Sequence, residues 1–356
     1  MVHCYHSMCR ERAATPFDGL RAAQPSEHTR WLAEPDEPAL RELLHARYAG
    51  SYSYRFLHEP GGASRLWRAG ALLSLGEFDA QGTLLWHTGL WCKPGRDSLD
   101  SGLSMALPGR RTAMDRSEHE RLWSHLLELL KARVGFLHQQ TSTLHLMAQR
   151  YASRFMRAVP VGLIVDYTEG ETLVGVEGSG LPMQALAMTT VLAPLPPRRR
   201  FLPAGPWGEW LASILAASGL PGTVELTPLE RRPRAGGLVP RPLDWNESLR
   251  LERRELVGPA GEGQGATALP SSRARVDLVH LSMGEPQRVA EATPVLLAAG
   301  YLPTGLRPRL DAPGDIVFQH LPAPERAREA VGRARLDGEA ARALWSGWVE
   351  RCARTS

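Results

Sequence analysis

The stretch from Ser104 to Leu130 most constrains what this chain can fold into. It predicts a short apolar strand, a tight turn at Pro108-Gly109, an arginine-containing loop and an amphipathic helix. This succession is typical of a phosphate site, because free backbone N–H groups and the helix dipole attract an anion. The sequence has no glycine between Gly109 and Gly135, so the loop lacks the residue that lets a backbone close around an anion.

Composition and charge limit the classes of protein to which this chain can belong. The 356 residues are 43% hydrophobic and 22% charged, which is typical of a soluble globular protein of about two domains. The net charge of +4 does not indicate a nucleic-acid partner. There is no run of about 18 apolar residues, so we expect no membrane span. Four scattered cysteines and the lack of a secretion signal favour a cytoplasmic protein without a disulfide framework.

The chain divides by composition and pattern. Residues 1–27 are polar and predict an N-terminal arm, and the spacing of His3, Cys4, His6 and Cys9 fits no closed zinc site. We therefore predict no metal site. From residue 28 onward strands and helices alternate, and Asp79–Gly82 is a strong hairpin signal between two strands. This interleaving favours an α/β class.

Four groups of segments, in this order, carry a resemblance to a known family. They are Tyr48-Ala-Gly-Ser-Tyr52 with Phe56-Leu-His-Glu-Pro60 and the following hairpin; the strand, loop and helix of 104–130; Gln140-Thr-Ser-Thr-Leu-His145 with Gln149-Arg150 and Pro160-Val-Gly-Leu163; and Val276-Asp-Leu278, Leu297-Ala-Ala-Gly-Tyr301, Gly314-Asp315 and Phe318-Gln-His-Leu321. Over residues 29–322 the chain resembles the Gcn5-related N-acetyltransferase (GNAT) superfamily, and specifically its larger bacterial members with an extra C-terminal half.

The resemblance implies an α/β fold of the α+β type, with a mixed, mostly antiparallel, splayed sheet flanked by helices. It places a GNAT-like domain at 28–195 and a second, smaller GNAT-like half at 196–322. Within the second half, residues 228–270 are rich in proline and glycine and predict an insert. Residues 323–356 predict a helical tail. The implied activity is transfer of an acyl group from acyl-coenzyme A to an amine.

The family's cofactor loop is altered in this chain. Setting its first position on Arg111 puts Met114 and Arg116 where small residues are needed. Arg110, Arg111 and Arg116 are the candidates for gripping a phosphate through their guanidinium groups. After Arg150 the family's Asn and its Leu-Gly-Phe turn are missing as well. These departures favour loss of normal coenzyme A binding over retention.

Other site candidates follow from the same resemblance. The candidate bases are His87, His138 and His145, with Glu77 as a further choice, and Tyr151 is the candidate donor to a thiolate leaving group. A histidine on a strand more often has a structural role. The candidate ligand-binding residues are Tyr52, Tyr54, Trp86, Trp91 and Gln140, although core packing is the commoner role of such tryptophans.

Three hypotheses of function remain open. The first is a catalytically degenerate acetyltransferase-fold protein, without a cofactor, that binds a peptide or small ligand as an accessory or recognition protein, for example in peptide natural-product biosynthesis. The second is an active N-acyltransferase that uses acetyl-coenzyme A, with arginines replacing the glycine-rich loop. The third is a structural partner in which Trp345 and Trp348 of the tail form a homodimer interface.

Overall fold

The computed structural model describes residues 20, 28–92, 98–110, 114–177, 179–230, 239–257, 273–321, 325 and 334–355. The chain divides into two compact units. The first contains residues 1–158, 168–183 and 188–194, and the second contains residues 159–167, 184–187 and 195–356. Strand β6, at Val159–Thr168, falls almost entirely in the second unit. The sequence predicted these residues as part of the domain at 28–195.

The first unit combines a mixed sheet with four helices. Its strands are β1 Thr29–Trp31, β2 Leu72–Phe78, β3 Leu84–Cys92, β4 Ser98–Ala106, β5 Phe136–Ser142 and part of β7 Met183–Val191. Its helices are α1 Glu37–Tyr48, α2 Gly62–Ala69, α3 Arg116–Lys131 and α4 Met147–Phe155, with 3-10 helices at Glu34–Asp36 and Arg55–His58. The strands lie in the order β1-β2-β3-β4-β5-β7, with β4 and β5 parallel and β1 to β4 antiparallel.

Local sequence explains several of these elements. The Asp79 carboxylate accepts hydrogen bonds from the Gln81 and Thr83 amides, and Gly82 takes a φ of +82°, so the predicted hairpin between β2 and β3 is confirmed. Helix α3 buries His119, Leu122, Trp123, Leu126, Leu127 and Leu130, the three- and four-residue spacing of an amphipathic helix. Helix α2 was not predicted, because the segment before it is rich in aromatic and turn residues.

Among its described residues, the second unit contains a six-stranded run, a separate strand pair and three helices. In the run the order is β6-β13-β14-β12-β11-β10, and β8 pairs with β9. The new strands are β8 Arg198–Pro203, β9 Gly222–Thr227, β10 Val239–Asn246, β11 Leu251–Val257, β12 Val276–Ser282, β13 Tyr301–Arg307 and β14 Asp315–His320. The helices are α5 Pro206–Ser218, α6 Pro286–Ala298 and α7 Glu339–Thr355.

Two features of the second unit differ from the sequence-based expectation. Strands β10 and β11 occupy residues 239–257, inside the stretch predicted as an insert, and residues 231–238 and 258–272 lie outside the described part of the chain. The tail tryptophans are core residues: Trp348 is fully buried and its indole N–H donates to the Pro303 carbonyl at 2.8 Å, and Trp345 is 4% exposed. Neither side chain therefore offers the surface that the dimer-interface hypothesis needs.

The predicted fold class is confirmed: the protein is a mixed α/β protein with a mostly antiparallel sheet flanked by helices. The hydrophobic core of the second unit includes Trp207, Trp210, Tyr301 and Trp348. Within the described part of the chain, no helix combines the length and the apolar character needed to cross a bilayer.

Candidate functional site

Strands β4 and β5 of the first unit stop pairing halfway along their length. Their parallel register runs from Ser98 opposite Phe136 to Ser101 opposite Gln139. Beyond that point β4 continues to Ala106 and β5 to Ser142. The two strands therefore part at Gly102 and Gln140, which is the splay that the family resemblance implies. We call the space between these strand ends the groove.

A bulge in β4 accompanies this parting. The register with β3 shifts between His87 and Gly89, and Leu103 takes a φ of +57°, a conformation that costs energy in a residue with a side chain. The His87 Nδ1 atom lies 2.9 Å from the Leu103 carbonyl oxygen, so Nδ1 must carry the proton and donate. Burial lowers the pKa of His87 to about 4. The neutral ring of this candidate base therefore stabilises the bulge.

A cluster of aromatic rings, which we call the aromatic wall, packs on the hydrophobic core of the first unit next to Gly102, where β4 and β5 part. Tyr54 stacks on Trp91 with ring centroids 5.6 Å apart, and Tyr52 lies 5.5 Å from Tyr54. The Trp91 Nε1 atom is 3.5 Å from where a Cβ would stand on Gly102, so the indole covers the glycine at which the strands part. Three of the five predicted ligand-binding residues are thus brought together. Gln140, a fourth, is half-buried and is the first residue of β5 beyond the last pair with β4.

Glu171 and Thr172 contact the segment that carries the aromatic wall, a feature that the sequence did not reveal. The Ser53 amide donates to the Glu171 carboxylate at 3.0 Å, and the Thr172 amide donates to the Ser51 hydroxyl at 2.7 Å. Burial raises the pKa of Glu171, and together with the charge of that carboxylate it raises the pKa of Tyr48. The segment that carries the aromatic wall is therefore held by hydrogen bonds to residues more than 100 positions away in the sequence.

The other two candidate histidines lie in different surroundings. His138 on β5 is 6% exposed, with its Nδ1 atom 2.9 Å from the Thr189 hydroxyl on β7. His145 is half-buried in the turn between β5 and α4, and burial lowers its pKa to about 4. His87, His138 and His145 consequently do not form one catalytic group.

Trp86, the fifth predicted ligand-binding residue, belongs to a separate aromatic cluster against helices α3 and α4. Its ring lies 5.5 Å from His119 and 6.0 Å from Tyr151, and its side chain is 5% exposed. The Tyr151 hydroxyl accepts a hydrogen bond from Trp123 Nε1 at 2.6 Å, and burial raises the pKa of this tyrosine. Trp86 therefore packs in the core, which is the commoner role expected for such a tryptophan, and the Tyr151 hydroxyl is held by hydrogen bonding in the same cluster.

Carboxylates of the chain itself occupy the start of helix α3, where the phosphate was expected. The Met114 amide donates to Glu77 Oε1 at 3.2 Å. The Asp115 amide donates to Glu118 Oε2 at 2.7 Å, and the Glu118 amide donates back to Asp115 Oδ1 at 2.9 Å. This reciprocal pair is a capping box. Three backbone donors at the helix start are thus already bound to anionic side chains.

The candidate arginines of this loop face other carboxylates. The Arg116 Nε atom lies 3.0 Å from Glu120 Oε1. Arg110 is exposed, and its charge is one of the weaker causes that lower the pKa of Asp79, after the hydrogen bond from the Thr83 amide. Arg111 lies outside the described residues. The two described arginines are therefore close to acidic groups of this chain.

No group of three or more His, Cys, Asp or Glu side chains arranged to hold a metal ion occurs among the residues that the structure describes.

Among known proteins, only solved structures resemble this chain in the comparisons made. No protein-family model and no curated protein matches the chain. The ribosomal-protein-S5-alanine acetyltransferase from Vibrio fischeri is similar at 9% identity, with 47% of this chain and 94% of that one covered and a TM-score of 0.35. The spermidine N-acetyltransferase from Vibrio cholerae, solved with CoA and spermine, is similar at 14% identity, with 47% and 97% covered and a TM-score of 0.34.

A phosphinothricin acetyltransferase of the GNAT superfamily from Sinorhizobium meliloti, solved with AcCoA, is similar at 13% identity. The match covers 46% of this chain and 88% of that one, with a TM-score of 0.32. Likenesses at such identities and scores concern the fold and say nothing about activity. All three of these solved structures are acetyltransferases, and the one from Sinorhizobium meliloti is described as a member of the GNAT superfamily, which the sequence segments resemble.

Proposed function

We propose that this protein has the acetyltransferase fold without acyl transfer, and that it binds a peptide or small ligand in the groove of its first unit. It would act as an accessory or recognition protein. The observation that carries this proposal is the start of helix α3, where the carboxylates of Glu77, Asp115 and Glu118 receive three backbone hydrogen bonds.

The electrostatics of that helix start support the proposal. A helix N-terminus binds phosphate because its amides are free and its dipole is positive. Here the amides of Met114, Asp115 and Glu118 are taken, and the carboxylates of Asp115 and Glu118 would repel a pyrophosphate. These contacts among the described residues of the loop support loss of the family's cofactor site.

The residues around the groove are suited to binding an extended, partly aromatic ligand. The parting of β4 and β5 leaves strand ends beside which a peptide backbone could add as a further strand. Tyr54 and Trp91 offer flat apolar surface with polar edges, and the Gln140 amide can both donate and accept hydrogen bonds. A short peptide with an aromatic or aliphatic side chain matches this combination.

The second candidate function is an active N-acyltransferase. It is favoured by the same parting of β4 and β5, since the family implies that such splayed strands admit the pantetheine arm of the cofactor. In that case Arg110 and Arg111 would hold the phosphates in place of backbone amides.

The test is peptide binding to variants of the aromatic wall. Peptides selected on an immobilised library would be titrated against the wild type and against Tyr54→Leu and Gln140→Ala. We expect at least about tenfold weaker binding in each, because truncated anchors at the centre of an interface cost more than about 1 kcal/mol. Trp245→Leu, on β10 of the second unit, is the matched control and should bind as the wild type does. Selected peptides that bind all four proteins equally would contradict the proposal, and so would acetylation of amines by the wild type.

A further inference from the structure

A second concave site lies outside the groove, between helix α1 and the 3-10 helix Arg55–His58. Its cavity has a volume of about 590 Å³, within the range typical of small-molecule sites. The lining residues all belong to the first unit: Pro38, Arg41, Glu42, His45, Ala46, Gly50, Arg55 and His58. We call this site the basic pocket.

The periodicity of α1 builds one wall of the basic pocket. Pro38, Arg41, Glu42, His45 and Ala46 recur at three- and four-residue spacing, so they share one face of the helix. The opposite face of α1 buries Leu40, Leu43 and Leu44 in the core. The basic side chains are thus directed away from the core and into the pocket.

Positive charge converges on this site. Four of the lining residues are Arg41, His45, Arg55 and His58, against the single acid Glu42. The first three lie close enough to His58 for their charges to lower its pKa, in addition to the larger effect of burial. His58 donates to the Tyr52 carbonyl, which fixes the imidazole at the back of the cluster.

The basic groups of the pocket differ from other arginines of the first unit in their partners. Arg30, Arg65, Arg68, Arg116 and Arg154 are each within 4.0 Å of a carboxylate oxygen. Within the described ranges, no hydrogen bond or ion pair is formed by the side chains of Arg41 and His45, and Arg55 Nη1 donates to the Gly50 carbonyl at 3.3 Å. Glu42 is the one acid among the lining residues, so positive charge exceeds negative charge in the pocket, and an anion would reduce the repulsion between the cations.

We propose that the basic pocket binds a small organic phosphate monoester. Two guanidinium groups supply forked donors that match phosphate oxygens, and the His45 imidazole supplies a further N–H donor. A phosphate offers more acceptor oxygens to these donors than a single carboxylate does. The cavity exceeds a bare phosphate in size, and Pro38 and Ala46 offer apolar surface to the organic part of the ligand.

The experiment uses O-phosphoserine, inorganic phosphate and acetate as probes, with thermal unfolding and calorimetry of the full chain at constant ionic strength. The wild type should show saturable binding and a rise in Tm with both phosphates, and weaker binding of acetate. Tighter binding of O-phosphoserine than of inorganic phosphate would identify a ligand with an organic body, and the reverse order would overturn that part of the proposal.

Variants locate the site. The double variant Arg41→Gln, Arg55→Gln should weaken phosphate binding at least about tenfold. The single variant His45→Gln should weaken it by a smaller, measurable amount. Arg68→Gln, an exposed arginine of α2 that is paired with Glu34, is the matched control and should bind as the wild type does. His45 is exposed, so its replacement tests the site even if the arginine pair disturbs folding. Equal phosphate binding by the wild type, the histidine variant and the control would overturn the proposal.

Discussion

The two units share an arrangement of strands around a central parallel pair, and the two pairs differ in how far their strands stay paired. In the first unit β4 runs parallel to β5, helix α4 follows, and β7 lies next to β5. In the second unit β11 runs parallel to β12, helix α6 follows, and β14 lies next to β12. The first pair keeps four residue pairs in register along nine- and seven-residue strands, whereas the second keeps five along two seven-residue strands.

Side-chain chemistry accompanies this difference. Across β11 and β12, Arg254 and Asp277 form a buried ion pair with Nη2 and Oδ2 2.5 Å apart, and the Tyr301 hydroxyl lies within 2.7 Å of Arg254 and 2.5 Å of Asp277. The first residues beyond the last pair of β4 and β5 are Gly102 and the neutral Gln140. A buried ion pair therefore links β11 to β12, whereas the two residues at which β4 and β5 part carry no charge.

The largest expected effect comes from breaking that network. Asp277→Asn should destabilise the protein by about 3–5 kcal/mol, because Arg254 would remain buried without its counter-charge. Tyr301→Phe keeps the ion pair and should cost only about 1 kcal/mol. Urea unfolding of both variants measures the difference. Equal losses in the two variants would show that the ion pair does not stabilise the second pair of strands.

The bulge of the open strand pair predicts a pH dependence. Burial depresses the pKa of folded His87 to about 4, so between about pH 6.5 and 4 the unfolded chain binds a proton that the folded chain does not. Stability should therefore fall by about 3 kcal/mol as the pH drops through this window and change little from this source below it. His87→Gln, which keeps a donor to Leu103, should remove about this much of the fall in unfolding free energy, while the contribution of His145, whose pKa burial also lowers to about 4, remains. An unchanged profile in the variant would contradict this role.

The capping box of α3 predicts the smallest effect. Asp115→Ala should cost about 1 kcal/mol of stability, while Asp115→Asn, which also caps helices well, should cost only a few tenths. Thermal unfolding of the two variants side by side measures this. A full loss with asparagine as well would mean that the charge, and not the cap, stabilises the helix start.

How far the sequence predicts this molecule depends on the range of each interaction. The hairpin after Asp79 and the helix after Asp115 follow from bonds within four residues, and both were predicted. The hydrogen bond of Met114 to Glu77 spans 37 residues, and that of Ser53 to Glu171 spans 118, so no local pattern reveals them. Strands β10 and β11 were hidden by the proline, arginine and glutamate content of their sequence, which is stabilised in the structure by cross-strand ion pairs such as Arg253 with Asp244.

We infer that the carboxylates at the start of α3 occupy backbone donors that would otherwise hold the phosphates of an acyl-coenzyme A. Calorimetric titration of the wild-type protein with acetyl-coenzyme A tests it most directly. We predict no saturable heat up to millimolar ligand, where the binding free energy would be weaker than about −4 kcal/mol. Micromolar binding that is lost when Arg110 and Arg111 are both changed to alanine would contradict this and favour the acyltransferase hypothesis.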